Sequence, residues 1–392
     1  MKTTIRALSI LATCLVSSLF VACGHPATKV ATSWNQKAAA AYLDQRVGWW
    51  MGWSGAARDH GTFCVSCHTS VAYALSRPAL RGALSEDGPS VNERRLLDNV
   101  KKRVLLWKDV GPFYSDQGYK AAESRGTEAV LNALILASYD AQTGRLSDET
   151  RAAFDNMWAL QLATGNEEGS WSWLRFDLEP WEANDSQYYG ATLAAVAVGT
   201  APENYRASPE IQSNLKRLRE YLDRECPTQS TINRVALLWA SARLPGLLER
   251  KQQDIIVNEV LSKQQPDGGW ELSSLAYPRS DWGLSKFLRT WIREDGTSQE
   301  RKSDGYATGL IVLVLQQAGM LRDSAPIKRG IAWLMSNQNA TEGFWPGYSL
   351  NKRRNLSSDT GRFMRDAATA YAVLALTESQ RTTNPVASLS NR

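Results

Sequence analysis

Val260-Leu261-Ser262-Lys263-Gln264-Gln265-Pro266-Asp267-Gly268-Gly269-Trp270 carries the unit from which the architecture is built. It reads as the end of an amphipathic helix closed by a Gln, then a Gly-bearing turn, then a Trp. The same order returns along the chain. Trp158-Ala159-Leu160-Gln161 is followed by Gly169-Ser170-Trp171, and Arg329 to Gln338 by Gly343-Phe344-Trp345. Ala41-Tyr42-Leu43-Asp44-Gln45 with Gly48-Trp49-Trp50 reads as a first copy. After the Trp come a loop and a small, apolar helix, as in Ala191 to Ala195, Ala307 to Ile311 and Ala368 to Leu374. A helix apolar on every side has to be buried by neighbours. The Gln can bond the turn's backbone while the Trp stacks over the helix end, stapling one repeat to the next. Such a unit cannot stand alone and calls for stacked copies.

Gln264-x-x-x-Gly268-x-Trp270 resembles the QW repeat of squalene-hopene cyclases and related triterpene cyclases. Arg329-Gly330 to Trp345 matches more of that repeat, with one extra residue in the turn. The resemblance covers most of the chain and implies an all-α, terpene-cyclase-like (α/α)6 toroid of about six helix pairs. The outer helices would fall near 33–45, 90–107, 147–161, 208–224, 246–264 and 325–338. The inner ones would fall near 66–77, 123–139, 187–199, 230–243, 304–318 and 365–378. Activity does not come with the fold. The family's squalene-type cyclases protonate an alkene with an Asp-x-Asp-Asp motif, whereas the nearest local stretch here is Arg365-Asp366-Ala367-Ala368-Thr369-Ala370. Without clustered carboxylates the proton donor loses its acidity, which argues against class II cyclisation. The related prenyltransferases bind zinc, and no second Cys–His cluster matches their ligand pattern.

Cys64-Val65-Ser66-Cys67-His68 carries the chain's most specific chemistry. Two thiols three positions apart can add to the two vinyl groups of haem, and the adjacent imidazole supplies an axial nitrogen. One covalent haem c is therefore expected, with Cys64, Cys67 and His68 as its attachment and ligand residues. Competing readings remain: a Cys64–Cys67 disulfide with His68 incidental, a redox dithiol, or a zinc site completed by His60 or a carboxylate. The sixth haem position has two nearby candidates, His60 and Met51. The motif would open the first inner helix, stopped near Pro78, and place a haem at one mouth of the toroid.

Asp185, Asp304 and Asp366, with Glu182, fall at the expected heads of inner helices. They read either as helix caps or as a polar ring at the funnel mouth, where Asp304, Asp366 and Asp185 would be the catalytic candidates. Trp171, Trp270 and Trp345 occupy the staple position, whereas Trp53 and Trp181 do not and read as cavity residues.

Export frames these readings. Lys2 and Arg6 precede the apolar run Ala7 to Ala22, too short and too early for a membrane span. Residues 1–22 read as a signal peptide, and Val21-Ala22-Cys23 resembles a lipobox that would make Cys23 a lipidated N-terminus; ordinary cleavage is the alternative. The domain plan is a single toroid over 23–380 and a disordered tail over 381–392. The body then keeps only Cys64, Cys67 and Cys226, which excludes a disulfide-rich scaffold. The net charge of +5 is interspersed, and nucleic acid is not an expected partner. The expected setting is the bacterial periplasm or an outer-membrane lipoprotein. A periplasmic redox partner, an apolar small molecule or lipid, and the membrane surface under the anchor are the expected partners. Two further classes stay open. One is a haem-free binding or scaffold protein; the other is a periplasmic enzyme on lipid or terpenoid substrates, using funnel carboxylates or a metal.

Overall fold

A computed structural model describes residues 33–277 and 288–381, all within one unit, Ala31–Arg392. The signal segment, Cys23 and all but the first residue of the 381–392 tail lie outside the described residues. Twelve α-helices lie among them, joined by short 3-10 turns and one two-stranded hairpin. The outer helices are α1 (Gln36–Gly52), α3 (Val91–Leu105), α5 (Asp148–Ala159), α7 (Gln212–Glu225), α9 (Arg250–Ser262) and α11 (Ala325–Ser336). The inner helices are α2 (Ser70–Leu84), α4 (Tyr119–Thr143), α6 (Ser186–Thr200), α8 (Thr231–Arg243), α10 (Gly305–Gln317) and α12 (Phe363–Arg381). Each inner helix packs on the next, and α12 packs back on α2, so the inner ring is closed. The all-α toroid of six helix pairs is thus the fold.

The physics of the repeat explains the closure. Residues Ser186 to Val198 of α6 and Gly305 to Leu315 of α10 are buried without interruption, because each helix is surrounded by its neighbours. In the three staples the indole N–H donates to a carbonyl in the last turns of the preceding helix: Trp171 to Met157 at 2.6 Å, Trp270 to Val260 at 2.8 Å and Trp345 to Leu334 at 2.7 Å. The Gln amide nitrogen donates to the turn glycine and also to the next outer helix. Gln161 reaches Gly169 and Asn214, Gln264 reaches Gly268 and Pro326, and Gln338 reaches Gly343 and Asn35. The turn glycines take φ of 97°, 93° and 85°, and a Cβ on any of them would strike the next outer helix.

Two expectations are corrected. The copy at Gln45 to Trp50 is not a staple: α1 runs through it to Gly52, Gln45 is exposed, and the Trp50 indole donates to Cys64 rather than to a helix end. No glycine of left-handed φ breaks the helix there, so nothing turns the Trp back. Nor does α2 stop near Pro78. It continues to Leu84 because Pro costs one helical bond, while Leu80 beyond it is fully buried and Arg77 is paired with Asp44 and Glu86.

Candidate functional site

The hairpin β1 (Ala57–Arg58) and β2 (Thr62–Phe63) delivers the chain to Cys64. Asn99 clamps the backbone of Phe63, accepting from its N–H at 2.8 Å and donating to its carbonyl at 2.9 Å. Arg103 donates to Thr62 Oγ1 at 2.7 Å while pairing with buried Glu128 at 2.6 Å. Cys64 itself is fixed by its N–H to the Ala56 carbonyl and by the Trp50 indole on its own carbonyl, both near 2.9 Å. Ser66 Oγ then accepts from the N–H groups of Thr69 and Ser70, turning the motif into the head of α2. The motif therefore sits in a rigid turn before the first inner helix, as its spacing suggests.

Cys64, Cys67 and His68 all line one cavity of about 290 Å³. Its apolar walls include Trp53, Phe113, Trp181 and Phe363, so Trp53 and Trp181 are cavity residues and Trp171, Trp270 and Trp345 are staples. Both thiols are free. Burial pushes Cys64 up to about 12 and raises Cys67 as well, so neither is a thiolate at neutral pH. A redox dithiol needs the opposite shift.

The His68 ring stacks on Phe363 with centroids 3.7 Å apart and meets Trp50 edge-on at 5.2 Å. Its Nδ1 lies 2.8 Å from Thr69 Oγ1. Burial, helped by the Arg46 charge, lowers its pKa to about 3, so the imidazole stays neutral, the state in which it can donate a nitrogen lone pair.

His60 and Met51 are not among the residues lining this cavity. His60 is exposed at the hairpin turn, where its φ of 57° carries it outward. Met51 follows Trp50 on α1 and is rotated away from the cavity face. Met364, which sequence reasoning overlooked, does line the cavity. Among the described residues no group of three His, Cys, Asp or Glu side chains is disposed to hold a metal ion, so His68 with His60 makes no zinc site.

The Asp candidates do not line the cavity either. Asp304 caps α10, accepting from the N–H of Ala307 at 2.9 Å and of Leu272 at 2.7 Å. Asp185 stands at the cap position of α6. Asp366, in the first turn of α12, is enclosed: Tyr42 and Arg46 Nε donate to Oδ1 at 2.9 and 2.8 Å, and Arg46 Nη2 and Thr69 to Oδ2 at 3.1 and 2.7 Å. Cap and core uses thus account for Asp304 and Asp366. The carboxyls on the cavity wall are Glu128, which is paired with Arg103, and Glu182 and Glu179, each raised by burial to about 7. Asn351 holds the Glu179 backbone by two 3.1 Å bonds, and Arg289 pairs with its carboxylate at 3.6 Å.

Phe363, Met364 and Arg354 were not found by sequence reasoning. They come from the last repeat, and only the counted ring order, which sets α12 beside α2, could have pointed to them.

No protein-family model matches the sequence, and no curated protein matches it. Solved structures do resemble the fold. A glycosidase in complex with glucose is 13% identical with a TM-score of 0.50, over 88% of this chain and 97% of that one. The GH76A α-1,6-mannanase of Salegentibacter sp. HEL1_6 is 11% identical over 88% and 99%, TM-score 0.48. A possible GH105 member from Klebsiella pneumoniae is 12% identical over 92% and 96%, TM-score 0.47. At such identities the likeness defines a class of fold, the α/α toroid, and no activity.

Proposed function

We propose that the chain is an exported c-type haem protein built on a closed α/α toroid. The supporting observation is that both thiols and the imidazole of one Cys-x-x-Cys-His motif face a single aromatic-walled cavity. In attachment each S–H adds across a vinyl C=C, forming a C–S bond while the hydrogen goes to the neighbouring carbon, with no net oxidation. Bound haem supplies one-electron or ligand-binding chemistry at iron. The chain's own residues do the rest. His68 offers a neutral imidazole, Phe363 and Trp50 hold its ring, and Trp53 and Trp181 supply apolar wall. Arg354, also on the wall, makes no ion pair among the described residues and suits a carboxylate such as a propionate. The signal segment and Cys23 would carry the protein to the periplasm or to a lipid anchor, where a redox partner could meet it.

The test is maturation in a periplasm equipped for haem attachment, followed by denaturation and mass measurement. A haem-sized increment that disappears in the Cys64→Ala, Cys67→Ala double variant supports the proposal. A mature chain at its bare polypeptide mass overturns it, and a loss of two hydrogens would instead support the haem-free Cys64–Cys67 disulfide.

A second reading has its own observation. Glu182 and Glu179 are carboxyls near 7 on an apolar cavity, the condition of a proton donor at neutral pH. On this reading the chain is an enzyme acting on an apolar small molecule. Turnover of lipid or terpenoid candidates that survives Glu182→Gln and Glu179→Gln would exclude it.

A further inference from the structure

We propose that Thr69 and Asp366 are positioning residues that fix His68 in the tautomer with a bare Nε2, ready to bind a metal centre. The identity of that centre rests on the haem reading; the tautomer does not. Asp366 accepts four hydrogen bonds, two on each oxygen, and two of them come from the Arg46 guanidinium, which has no acceptor to offer. The carboxyl is therefore satisfied as an anion. Thr69 has one hydroxyl proton, and it points to Asp366 Oδ2 at 2.7 Å. Its oxygen is left as an acceptor toward His68 Nδ1 at 2.8 Å. A neutral imidazole carries one N–H, so that proton must lie on Nδ1, and Nε2 keeps its lone pair.

The relay is anchored behind Asp366. Arg46 is buried and also donates to the Asp359 carboxylate and carbonyl, each at 2.8 Å. Three elements meet here: α1 supplies Arg46, the head of α2 supplies Thr69 and His68, and α12 supplies Asp366. A hydrogen bond to Nδ1–H with an anion behind it fixes ring orientation and makes Nε2 a stronger electron donor. An iron held there would have its oxidised form favoured.

The experiment uses the full mature chain in two forms. In the haem-free form with 15N-labelled histidine, long-range 1H–15N NMR reads which His68 nitrogen carries hydrogen. Wild type and Thr69→Ser are expected to show Nδ1–H alone, and Thr69→Val a mixture. Nε2–H in the wild type, or an unchanged pattern in Thr69→Val, overturns the proposal. In the haem-loaded form the midpoint potential is expected to rise in Thr69→Val and to return in Thr69→Ser; an unchanged potential counts against the relay's action on iron. If no haem is taken up, the haem reading falls while the NMR result still decides the tautomer.

Discussion

Gln338 holds Asn35 by both faces of its backbone amide position: Oε1 accepts from the Asn35 N–H at 2.6 Å and Nε2 donates to the Asn35 carbonyl at 3.0 Å. Asn35 in turn caps α1 by accepting from the Ala38 N–H. The staple that joins neighbouring repeats elsewhere here joins residues 303 apart and closes the ring. Gln338→Ala removes both bonds and the one to Gly343, and is expected to cost about 1–3 kcal/mol in urea unfolding. Gln161→Ala, which removes the bonds to Gly169 and to the Asn214 carbonyl and side-chain amide inside the ring, should cost a similar amount. A neutral Gln338→Ala would mean that the ring closes without this staple.

Gly343 tests the close approach behind the staple. Its φ is 85°, and a Cβ would sit 2.0 Å from the Ala38 carbonyl oxygen. Gly246 has a φ of 84° but nothing within 4 Å of its Cβ position. Gly246→Ala should cost only about 1 kcal/mol, the backbone term. Gly343→Ala should cost at least about 2 kcal/mol more, because helix α1 must also move. Equal melting shifts for the two variants would contradict this packing.

The Arg46–Asp366 pair lies in the core, with both side chains 2% exposed. Asp366→Ala is expected to destabilise by about 3–5 kcal/mol, since Arg46 keeps only the half-exposed Asp359 while Tyr42 and Thr69 lose their buried acceptor. The exposed Lys216–Glu220 pair on α7, at 3.7 Å, is the contrast: Glu220→Ala should change stability by less than about 0.5 kcal/mol. Chemical denaturation of the two variants measures the difference.

Glu182 gives a signed dependence on pH. Its folded pKa of about 7 lies above the usual 4.5 because burial disfavours the charge. The folded state therefore holds a proton that the unfolded state releases between 4.5 and 7, and stability falls as pH rises through that window. Glu182→Gln removes the penalty. It should match wild type near pH 4.5 and exceed it by roughly 1–3 kcal/mol at pH 8. A variant no more stable than wild type at pH 8 would mean that Glu182 is well solvated.

Much of the architecture was legible because the Gln–Gly–Trp order marks helix ends, and the apolar runs at 187–199 and 304–318 can only be inner helices. The helix at 70–84 outran its expected stop because tertiary packing of Leu80 outweighs one bond lost at Pro78. The copy at Gln45 to Trp50 misled because composition resembles a staple where the backbone has no left-handed turn. At the site, Cys64, Cys67, His68, Trp53 and Trp181 were legible from spacing and from their departure from the staple position. Glu182 was weighed only as a cap or rim residue. Phe363 could not be paired with His68 from sequence, since the two residues, 295 positions apart, come together only through the ring.

That pairing has a consequence for the order of biosynthesis. His68 and its two thiols are made well before Phe363 and Asp366, which wall in the imidazole and brace its neighbour. On the haem proposal, the attachment motif is complete as a short peptide long before it is complete as a pocket. Attachment would then be separable in time from enclosure, and α12 completes the pocket wall. A chain ending before Phe363 should expose Cys64, buried in the full chain, to faster modification by a thiol reagent.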